Sequence, residues 1–387
     1  MQSIPYGRQD IDADDLAAVE AVLRSDWLTQ GPAVENFESV VANYVGAKFA
    51  CAVNSATSAL HLACRAVGLG PGDILWTVPN TFVASANAGL YCGASVDFVD
   101  IDAETCNLSV PALSAKLALA EAVGRLPKVV IPVHFGGLSC DMRGIGALAR
   151  RYGFHVIEDA SHAIGGDYRN RKVGCCDDAD IVVFSFHPVK IVTSAEGGML
   201  VTNNPVLHEA ALTLRSHGVT RDPARMEGPS DGAWYYQQID LGYNYRITDI
   251  QAALGASQMR RIDSFITRRR AVAARYDAAL AELPVSLAPR DPDANSAWHL
   301  YVVQVEEARG ARPRKEVFDA LRSAGILVNV HYIPVHLQPY YRRFGFAPGD
   351  YPVAESYYQK AISLPMYAAL ADSAQDRVID ELRKAIR

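Results

Sequence analysis

Short apolar runs alternate with stretches of helical periodicity between residues 49 and 185. An apolar run of about four to eight residues is typical of a buried strand, whereas a period of about 3.6 residues is typical of a helix. Strands that alternate with helices form a mostly parallel sheet, and such sheets bind ligands at the carboxyl ends of their strands. The predicted segments are strands at 49–53, 74–78, 95–99, 128–133, 154–158 and 180–185, and helices at 56–67, 81–91 and 143–152.

The segments on either side follow other patterns. Residues 11–24 have helical periodicity, and a helical stretch from about 248 to 283 is long enough to bridge two domains. We predict a large α/β domain over 1–250, with an N-terminal substrate-loop segment, and a bridging helix with a smaller α+β domain over 251–387. The smaller domain is predicted to contain strands at 298–305 and 326–332 and helices at 314–323 and 371–386. The apolar side of the first helix is predicted to consist of Ile11, Leu16, Val19, Val22 and Leu23.

Composition and charge narrow the class of function. Half of the 387 residues are hydrophobic and 21% are charged, as in an ordinary globular protein. The net charge of −6 provides no basic field for nucleic acid or an acidic membrane. The seven cysteines are scattered and lack the spacing of a zinc site. Since neither a leader pattern nor an apolar run of membrane-spanning length is present, we expect a cytoplasmic protein without metal, nucleic-acid or membrane partners.

The most informative motif ends at Lys190. Phe184-Ser185-Phe186-His187-Pro188-Val189-Lys190 follows an apolar run and precedes a Gly197-Gly198 turn. A lysine amine can form a Schiff base with the aldehyde of pyridoxal phosphate (PLP), and a serine hydroxyl can hold the cofactor phosphate. An ordinary surface lysine is the alternative, but the apolar flanks favour a buried position, which needs a chemical reason.

An acidic pair ends an earlier strand, at Glu158-Asp159. Successive residues of a strand face opposite sides, so Glu158 and Asp159 should point away from each other. A carboxylate from Asp159 can keep a pyridine nitrogen protonated, or it can simply cap the following turn. His162 is either a contact to the ring oxygen of the cofactor or a hydrogen-bonded core histidine.

Two helix starts complete the candidate cofactor site. Asn54–Leu60 follows a strand, and its free N–H groups, with the hydroxyls of Thr57 and Ser58, suit a phosphate, although plain capping is the commoner role of such residues. Phe82 can lie flat against a cofactor ring or pack in the core. Together with Lys190 and the acidic pair, these features favour an enzyme that moves an amino group.

The chain resembles the DegT/DnrJ/EryC1/StrS family of PLP-dependent sugar aminotransferases over essentially its whole length. Within the family it is most similar to the UDP-4-amino-4,6-dideoxy-N-acetyl-β-L-altrosamine transaminases of pseudaminic acid biosynthesis. The resemblance implies the fold-type I architecture. The segments that carry the family resemblance are Trp27–Pro32, Ser55–Leu60, Glu158–His162, Phe184–Lys190, Glu196–Gly198 and Gly242–Arg246, and those that carry the narrower one are Ile4–Gln9, His187–Lys190 and His331–His336.

The resemblance implies a transamination in two halves. L-glutamate converts PLP into pyridoxamine phosphate, which then aminates a nucleotide-linked keto-sugar. Lys190 is expected to hold the cofactor and act as the base, and related dehydratases have a histidine in its place, which argues against dehydration. The other expected cofactor contacts are Asp159 to the pyridine nitrogen, Ser185, Thr57 and Ser58 to the phosphate, Phe82 and His162 to the ring, and Asn244 to the phosphate of the neighbouring subunit of a homodimer.

This sequence departs from the family pattern at three places. Ala56 replaces a common glycine, which predicts a helical turn there and not a left-handed backbone. His162 replaces a common glutamine, and His134-Phe135-Gly136-Gly137 lacks the usual tyrosine. Contacts to the sugar nucleotide are less specific, because core or interface packing explains each candidate equally well. These candidates are Tyr6, Trp27, Leu28, Thr29, Gln30, His187, His331, Tyr332 and His336.

Two other functions share these motifs. One is a family member that aminates another carbon or another ring. The other is a PLP-fold protein without turnover that binds a sugar nucleotide as a regulator. The intact set of Lys190, Asp159 and Ser185 argues against the second.

Overall fold

The computed structural model describes residues 3–387. A seven-stranded sheet forms its centre, and six of these strands point the same way. The mostly parallel sheet predicted from the sequence is therefore confirmed, and its predicted strands lie close to their expected bounds. From one edge to the other, the strands are Phe49–Val53, Gly198–Thr202, Ile181–Ser185, His155–Asp159, Val129–Ile131, Ile74–Thr77 and Ser95–Phe98.

Helices cover this sheet and lead into the C-terminal region. Gly198–Thr202, the one antiparallel strand of the sheet, was not predicted, and neither were four of the helices, Val110–Ala122, Pro205–Arg215, Pro339–Arg342 and Pro352–Lys360. The helices within residues 3–387 are Ala13–Leu23, Pro32–Val45, Ala56–Ala66, Ala84–Tyr91, Val110–Ala122, Met142–Tyr152, Pro205–Arg215, Asp249–Met259, Ile262–Leu280, Arg314–Ser323, Pro339–Arg342, Pro352–Lys360 and Asp372–Ala385.

The single helix predicted over 248–283 was wrong. The structure has two helices, Asp249–Met259 and Ile262–Leu280, with two arginines between them. One of them, Arg261, donates to the Asp15 carboxylate at 2.5 Å. The interruption therefore coincides with an ion pair that fastens the first helix of the chain to this region.

The first helix also packs differently from its expected orientation. Asp15, and none of its apolar residues, is the buried member of Ala13–Leu23. Leu16 and Leu23 are 66% and 57% exposed. Of the five residues predicted for the apolar side, Ile11, Leu16 and Leu23 are therefore exposed in the single chain, whereas Val19 and Val22 are half-buried on the side of the helix that contains Asp15.

A smaller antiparallel sheet lies in the C-terminal region. Its strands are Val285–Ser286, Tyr301–Val305 and Ala361–Leu364, in that order. The N-terminal pair Ile4–Pro5 runs parallel to Ile326–Leu327, so the start of the chain joins this region. The division of the chain at residue 250 stays a prediction. A helix with the length and apolar composition needed to cross a bilayer is absent from residues 3–387.

Functional groups gather where the parallel strands end. Asp159 and Ser185 are the last residues of neighbouring strands. Gly198 begins the antiparallel strand and is in register with both Ser185 and Val53. The helix Ala56–Ala66 starts directly after the strand that contains Val53, so its N-terminus reaches the same edge of the sheet.

Candidate active site

A cavity of about 570 Å³ opens at this edge. It is lined by residues from the start of the helix Ala56–Ala66, the strand ends, the Lys190 loop and a C-terminal loop. Both polar and apolar side chains line its wall. The lining residues are Tyr6, Ser55, Ala56, Thr57, Leu60, Thr81, Phe82, Ala84, Val133, Asp159, Ser161, His162, Ser185, His187, Val189, Lys190, Glu196, Asn329, Val330, His331 and Tyr332.

Lys190 is the basic nucleophile of this cavity. Its backbone N–H donates to the carbonyl of His187 at 2.9 Å, which closes a tight turn after the strand that ends at Ser185. Burial lowers the pKa of Lys190 to about 8, and the negative charge of Asp159 opposes the shift. A substantial fraction of the amine is therefore neutral near pH 8, as Schiff-base chemistry requires.

Asp159 is a buried carboxylate held by two donors. Its Oδ2 accepts a hydrogen bond from the Ser85 hydroxyl at 2.6 Å, and its Oδ1 accepts one from the backbone N–H of Ser161 at 3.1 Å. The Ser85 hydroxyl lies 2.8 Å from that of Thr81. These bonds fix the carboxylate at the cavity wall, ready to bind a cation.

Glu158 has a separate partner, as strand alternation predicts. Its side chain accepts from Nε2 of the buried His134 at 2.7 Å. Glu158 also borders a second cavity, of about 200 Å³, whose lining does not include Asp159.

The helix start beside the cavity is tightly built. Ala56 is its first helical residue, which confirms the helical turn predicted from the sequence. The Ser55 hydroxyl accepts from the N–H of Ser58 at 3.1 Å, and the Ser58 hydroxyl donates to Asn54 Oδ1 at 2.7 Å. The Ser58 hydroxyl is thus bonded to Asn54, and Ser58 lies outside the lining, whereas Thr57 lines the cavity.

A group of aromatic rings forms another part of the wall. His162 Nδ1 accepts from the N–H of Gly136 at 3.3 Å, and its Nε2 lies 3.1 Å from the Tyr332 hydroxyl. Burial lowers the pKa of His162 well below its ordinary value, and the charges of Lys190 and His331 act in the same direction. His162 is therefore neutral.

The remaining predicted residues divide into two sets. Phe82, which is 59% exposed, Tyr6, His187 and His331 line the cavity with Tyr332. The loop from Trp27 to Gln30 is exposed and lies outside the lining, as does the exposed Asn244.

His336 does not reach the cavity. It is fully buried, and its Nε2 lies 2.9 Å from the Glu355 carboxylate. Its ring also packs against Tyr351, with ring centroids 4.8 Å apart. The sugar-nucleotide contact predicted for His336 therefore has no support in this chain, since the residue is enclosed in the core.

The sequence analysis missed several residues of the site, among them Ser85 and His299. Ser85 binds Asp159, and its signal is a pair of hydroxyl residues four positions apart, Thr81 and Ser85, at a helix start. His299 packs on His162 with ring centroids 4.4 Å apart, and the sequence offers no clear signal for it. Within the described part of the chain, no three His, Cys, Asp or Glu side chains are grouped closely enough to hold a metal ion.

The arrangement fits PLP in its chemistry. Hydroxyls of Thr57 and Ser185 lie with a helix N-terminus on the cavity wall and suit a phosphate. Asp159 suits a protonated ring nitrogen, and Lys190 suits an aldehyde. The fold and the site together define an enzyme of the PLP-dependent aminotransferase class.

The chain belongs to the DegT/DnrJ/EryC1/StrS aminotransferase family, whose model matches residues 9–383. It is 41% identical over 387 residues to the spore coat polysaccharide biosynthesis protein SpsC of Bacillus subtilis, covering 99% of this chain and 97% of that protein. Membership of this family confirms both the transaminase class and PLP as the cofactor.

Comparison with solved structures also finds aminotransferases. Helicobacter pylori PseC, an aminotransferase of pseudaminic acid biosynthesis, is 30% identical with a TM-score of 0.90, and 99% of each chain is covered. The sugar aminotransferase Spr1654 of Streptococcus pneumoniae, in its pyridoxamine phosphate form, is 31% identical with a TM-score of 0.89, covering 99% of this chain and 98% of that one. The likeness is thus to sugar aminotransferases.

Proposed function

We propose that this enzyme transfers the amino group of L-glutamate to a nucleotide-linked keto-sugar. The preferred acceptor is a UDP-4-keto-6-deoxy-N-acetylhexosamine, which would become the 4-amino sugar. PseC is involved in pseudaminic acid biosynthesis, and SpsC in the biosynthesis of a spore coat polysaccharide. Both relatives support a role in making an amino sugar for a glycan.

One observation carries the proposal. Lys190, Asp159 and the phosphate-binding candidates Thr57 and Ser185 line a single cavity, although they come from separate segments of the chain. A protein that only bound a sugar nucleotide would not require a lysine of lowered pKa opposite a buried carboxylate.

The mechanism follows from these side chains. Pyridoxal phosphate supplies a carbonyl carbon that carries the migrating nitrogen and a ring that stores an electron pair. Nζ of Lys190 would move the proton from Cα of glutamate to that carbonyl carbon in the first half, and in the second half it would move a proton from the same carbon to the sugar carbon that bears the new C–N bond. Its lowered pKa of about 8 favours the neutral, basic form.

Other residues hold and orient the cofactor. Asp159, fixed by Ser85 and Ser161, keeps a positive charge on the ring nitrogen and so favours withdrawal of electrons from the reacting carbon. Thr57, Ser185 and the helix N-terminus anchor the phosphate. Phe82 offers an exposed ring face at the cavity, suited to stacking.

A homodimer is part of the proposal. Exposed apolar side chains occur on and around the segment that contains Asn244, and clusters of such residues mark protein interfaces. Burying them against a second copy would bring Asn244 towards the partner's cofactor phosphate. The exposed side chains concerned are Trp27, Leu28, Tyr91, Trp234, Tyr236, Ile239 and Leu241.

The first experiment follows the visible absorbance of the purified enzyme on addition of L-glutamate. We expect the band of the lysine-bound cofactor to give way to that of pyridoxamine phosphate. The enzyme in its pyridoxamine phosphate form is then mixed with UDP-4-keto-6-deoxy-N-acetylhexosamine, and formation of the amino sugar is measured by mass spectrometry. Keto-sugars with the carbonyl at C3 serve as competing acceptors.

Two variants and the choice of keto-sugar serve as controls. Lys190→Ala should abolish both half-reactions, whereas Lys48→Ala, at a position outside the cavity, should leave them intact. A wild-type enzyme that responds to glutamate but prefers a C3 ketone would refute the assignment of the sugar carbon. Absence of any cofactor band after incubation with PLP would refute the catalytic proposal.

A further inference from the structure

Two free cysteines lie near the C-terminal ends of neighbouring helices, outside the lining of the active-site cavity. Cys64 is in Ala56–Ala66, the helix whose start adjoins that cavity. Cys92 directly follows Ala84–Tyr91. Both residues belong to one buried core cluster, and the Cys64 thiol is hydrogen-bonded to Cys92. The two sulfur atoms are therefore neighbours, as a disulfide requires.

The residues around this pair favour a thiolate on Cys92. His61 and Arg65 lie on the same helix as Cys64, three positions before it and one position after it. Nδ1 of His61 lies 3.1 Å from the Tyr245 hydroxyl, and its Nε2 is buried without a nitrogen or oxygen partner within residues 3–387. The hydrogen bond from Cys64 lowers the pKa of Cys92, although burial opposes the shift. Interactions with His61 and Arg65 lower this pKa further.

Cys175 is the natural comparison. It is half-buried, whereas Cys92 is only 6% exposed, so access alone would favour oxidation of Cys175. Burial, however, raises the pKa of Cys175 to about 11. The thiolate is the nucleophilic form of cysteine, so charge and access predict opposite orders of reaction for these two thiols.

We propose that Cys64 and Cys92 are a peroxide-reactive thiol pair, in which Cys92 attacks the oxidant and Cys64 closes the disulfide. Cys64 is fully buried, so an oxidised Cys92 is its route to reaction. Metal binding by the pair with His61 does not fit the geometry, since the described part of the chain groups no three such side chains around a metal ion.

The reaction takes place in two steps, with hydrogen peroxide as the oxidant. The Cys92 thiolate attacks one peroxide oxygen, so that an S–O bond forms, the O–O bond breaks, and hydroxide leaves and takes up the proton that Cys92 lost. The Cys64 sulfur then attacks the Cys92 sulfur. The S–S bond forms, the S–O bond breaks, and the second oxygen leaves as water with the proton of Cys64. Each sulfur loses one electron, and the peroxide is reduced to two waters.

The test uses the purified holoenzyme, reduced, freed of reductant and exposed to hydrogen peroxide near neutral pH. Remaining thiols are blocked with iodoacetamide, and unreduced peptides are identified by mass spectrometry. We expect a peptide pair linked through Cys64 and Cys92 to form roughly ten times faster than Cys175 is oxidised, because the larger thiolate fraction outweighs the lower intrinsic nucleophilicity. Oxidation of Cys175 first, with Cys64 and Cys92 still reduced, would overturn the proposal.

Three variants assign the roles. In Cys64→Ala the sulfenic acid on Cys92 has no partner thiol and should be captured by dimedone, although more slowly because the hydrogen bond is lost. In Cys92→Ala, Cys64 should stay reduced, and its oxidation at the wild-type rate would refute the order of attack. Cys175→Ala is the matched control and should form the linked peptide as the wild type does. The wild-type digest alone decides whether the bond forms, even where a variant folds poorly.

Discussion

Gly198 allows the sheet and the helix start beside the cavity to approach closely. A Cβ added at this position would lie 2.4 Å from Ser55 C, Ser55 O and Ala56 N, all of them backbone atoms. Ordinary contacts to a Cβ begin near 3.4 Å. Gly198→Ala therefore requires the helix start to move away from the strand by about 1 Å.

The magnitude follows from this displacement. Overpacking of this kind costs about 1–3 kcal/mol of folding free energy. A 1 Å shift also removes the N-terminal N–H groups and Thr57 from hydrogen-bonding distance of a phosphate. Loss of one bond to a charged group costs about 1.5–3 kcal/mol, which weakens PLP binding roughly 10- to 150-fold.

The assay measures two quantities for Gly198→Ala. Thermal unfolding of the apoenzyme reports folding stability, and fluorescence titration with PLP reports affinity. Gly70→Ala is the matched control, because an added Cβ at Gly70 meets nothing within 4 Å. We expect Gly70→Ala to leave both quantities close to wild type.

One result would refute the reasoning directly. If Gly198→Ala lost stability but bound PLP with wild-type affinity, the helix start could not be the phosphate site. If neither quantity changed, the close approach of strand and helix would not constrain the site at all.

Three further outcomes are expected. Because burial lowers the pKa of Lys190 to about 8, its amine is protonated below that pH and nucleophilic above it. Capture of PLP by the apoenzyme, followed by stopped-flow absorbance, should rise about tenfold per pH unit below pH 8 and level off above it; a flat profile would contradict the lowered pKa. Asp159→Asn should slow the glutamate half-reaction about 10- to 100-fold, measured by single-turnover absorbance, because it removes a charge-assisted hydrogen bond; an unchanged rate would mean that another group holds the ring nitrogen. His336→Ala should reduce the unfolding free energy by about 1–3 kcal/mol in urea titrations, since it leaves Glu355 without its buried partner, while the glutamate half-reaction stays near wild type.

The strands of the central sheet could be predicted from the sequence better than the contacts between distant segments of the chain. Buried parallel strands are continuous apolar runs, which explains why Phe49–Val53 and Ile181–Ser185 could be located. The helix break between Met259 and Ile262 could not be found in this way, because neither glycine nor proline marks it. Asp15, which pairs with Arg261 at this break, lies more than two hundred residues away along the chain. Helical periodicity carries no information about such a distant ion pair.

The orientation of surface residues was equally hidden. Leu16 and Leu23 have the spacing of a core-facing side, yet they are exposed in the single chain. Periodicity reveals that a helix has an apolar side, but it does not reveal whether that side meets the same chain or another molecule. The same argument applies to the exposed loop from Trp27 to Gln30, whose predicted substrate contacts stay a prediction for the assembled enzyme.

The hydrogen bonds that hold Asp159 show which features of a site can be predicted from a sequence and which cannot. Strand alternation separates Asp159 from Glu158 without any structure, because the period of two is local. A buried carboxylate must also be satisfied by donors, and here the second donor, Ser85, comes from a helix 74 residues earlier. Many serines near helix starts are chemically equivalent in sequence, and only the packing of Ala84–Tyr91 against the sheet selects this one. Chemistry that acts through one residue is therefore visible in a motif, whereas the hydrogen bonds that orient this residue arise from the fold.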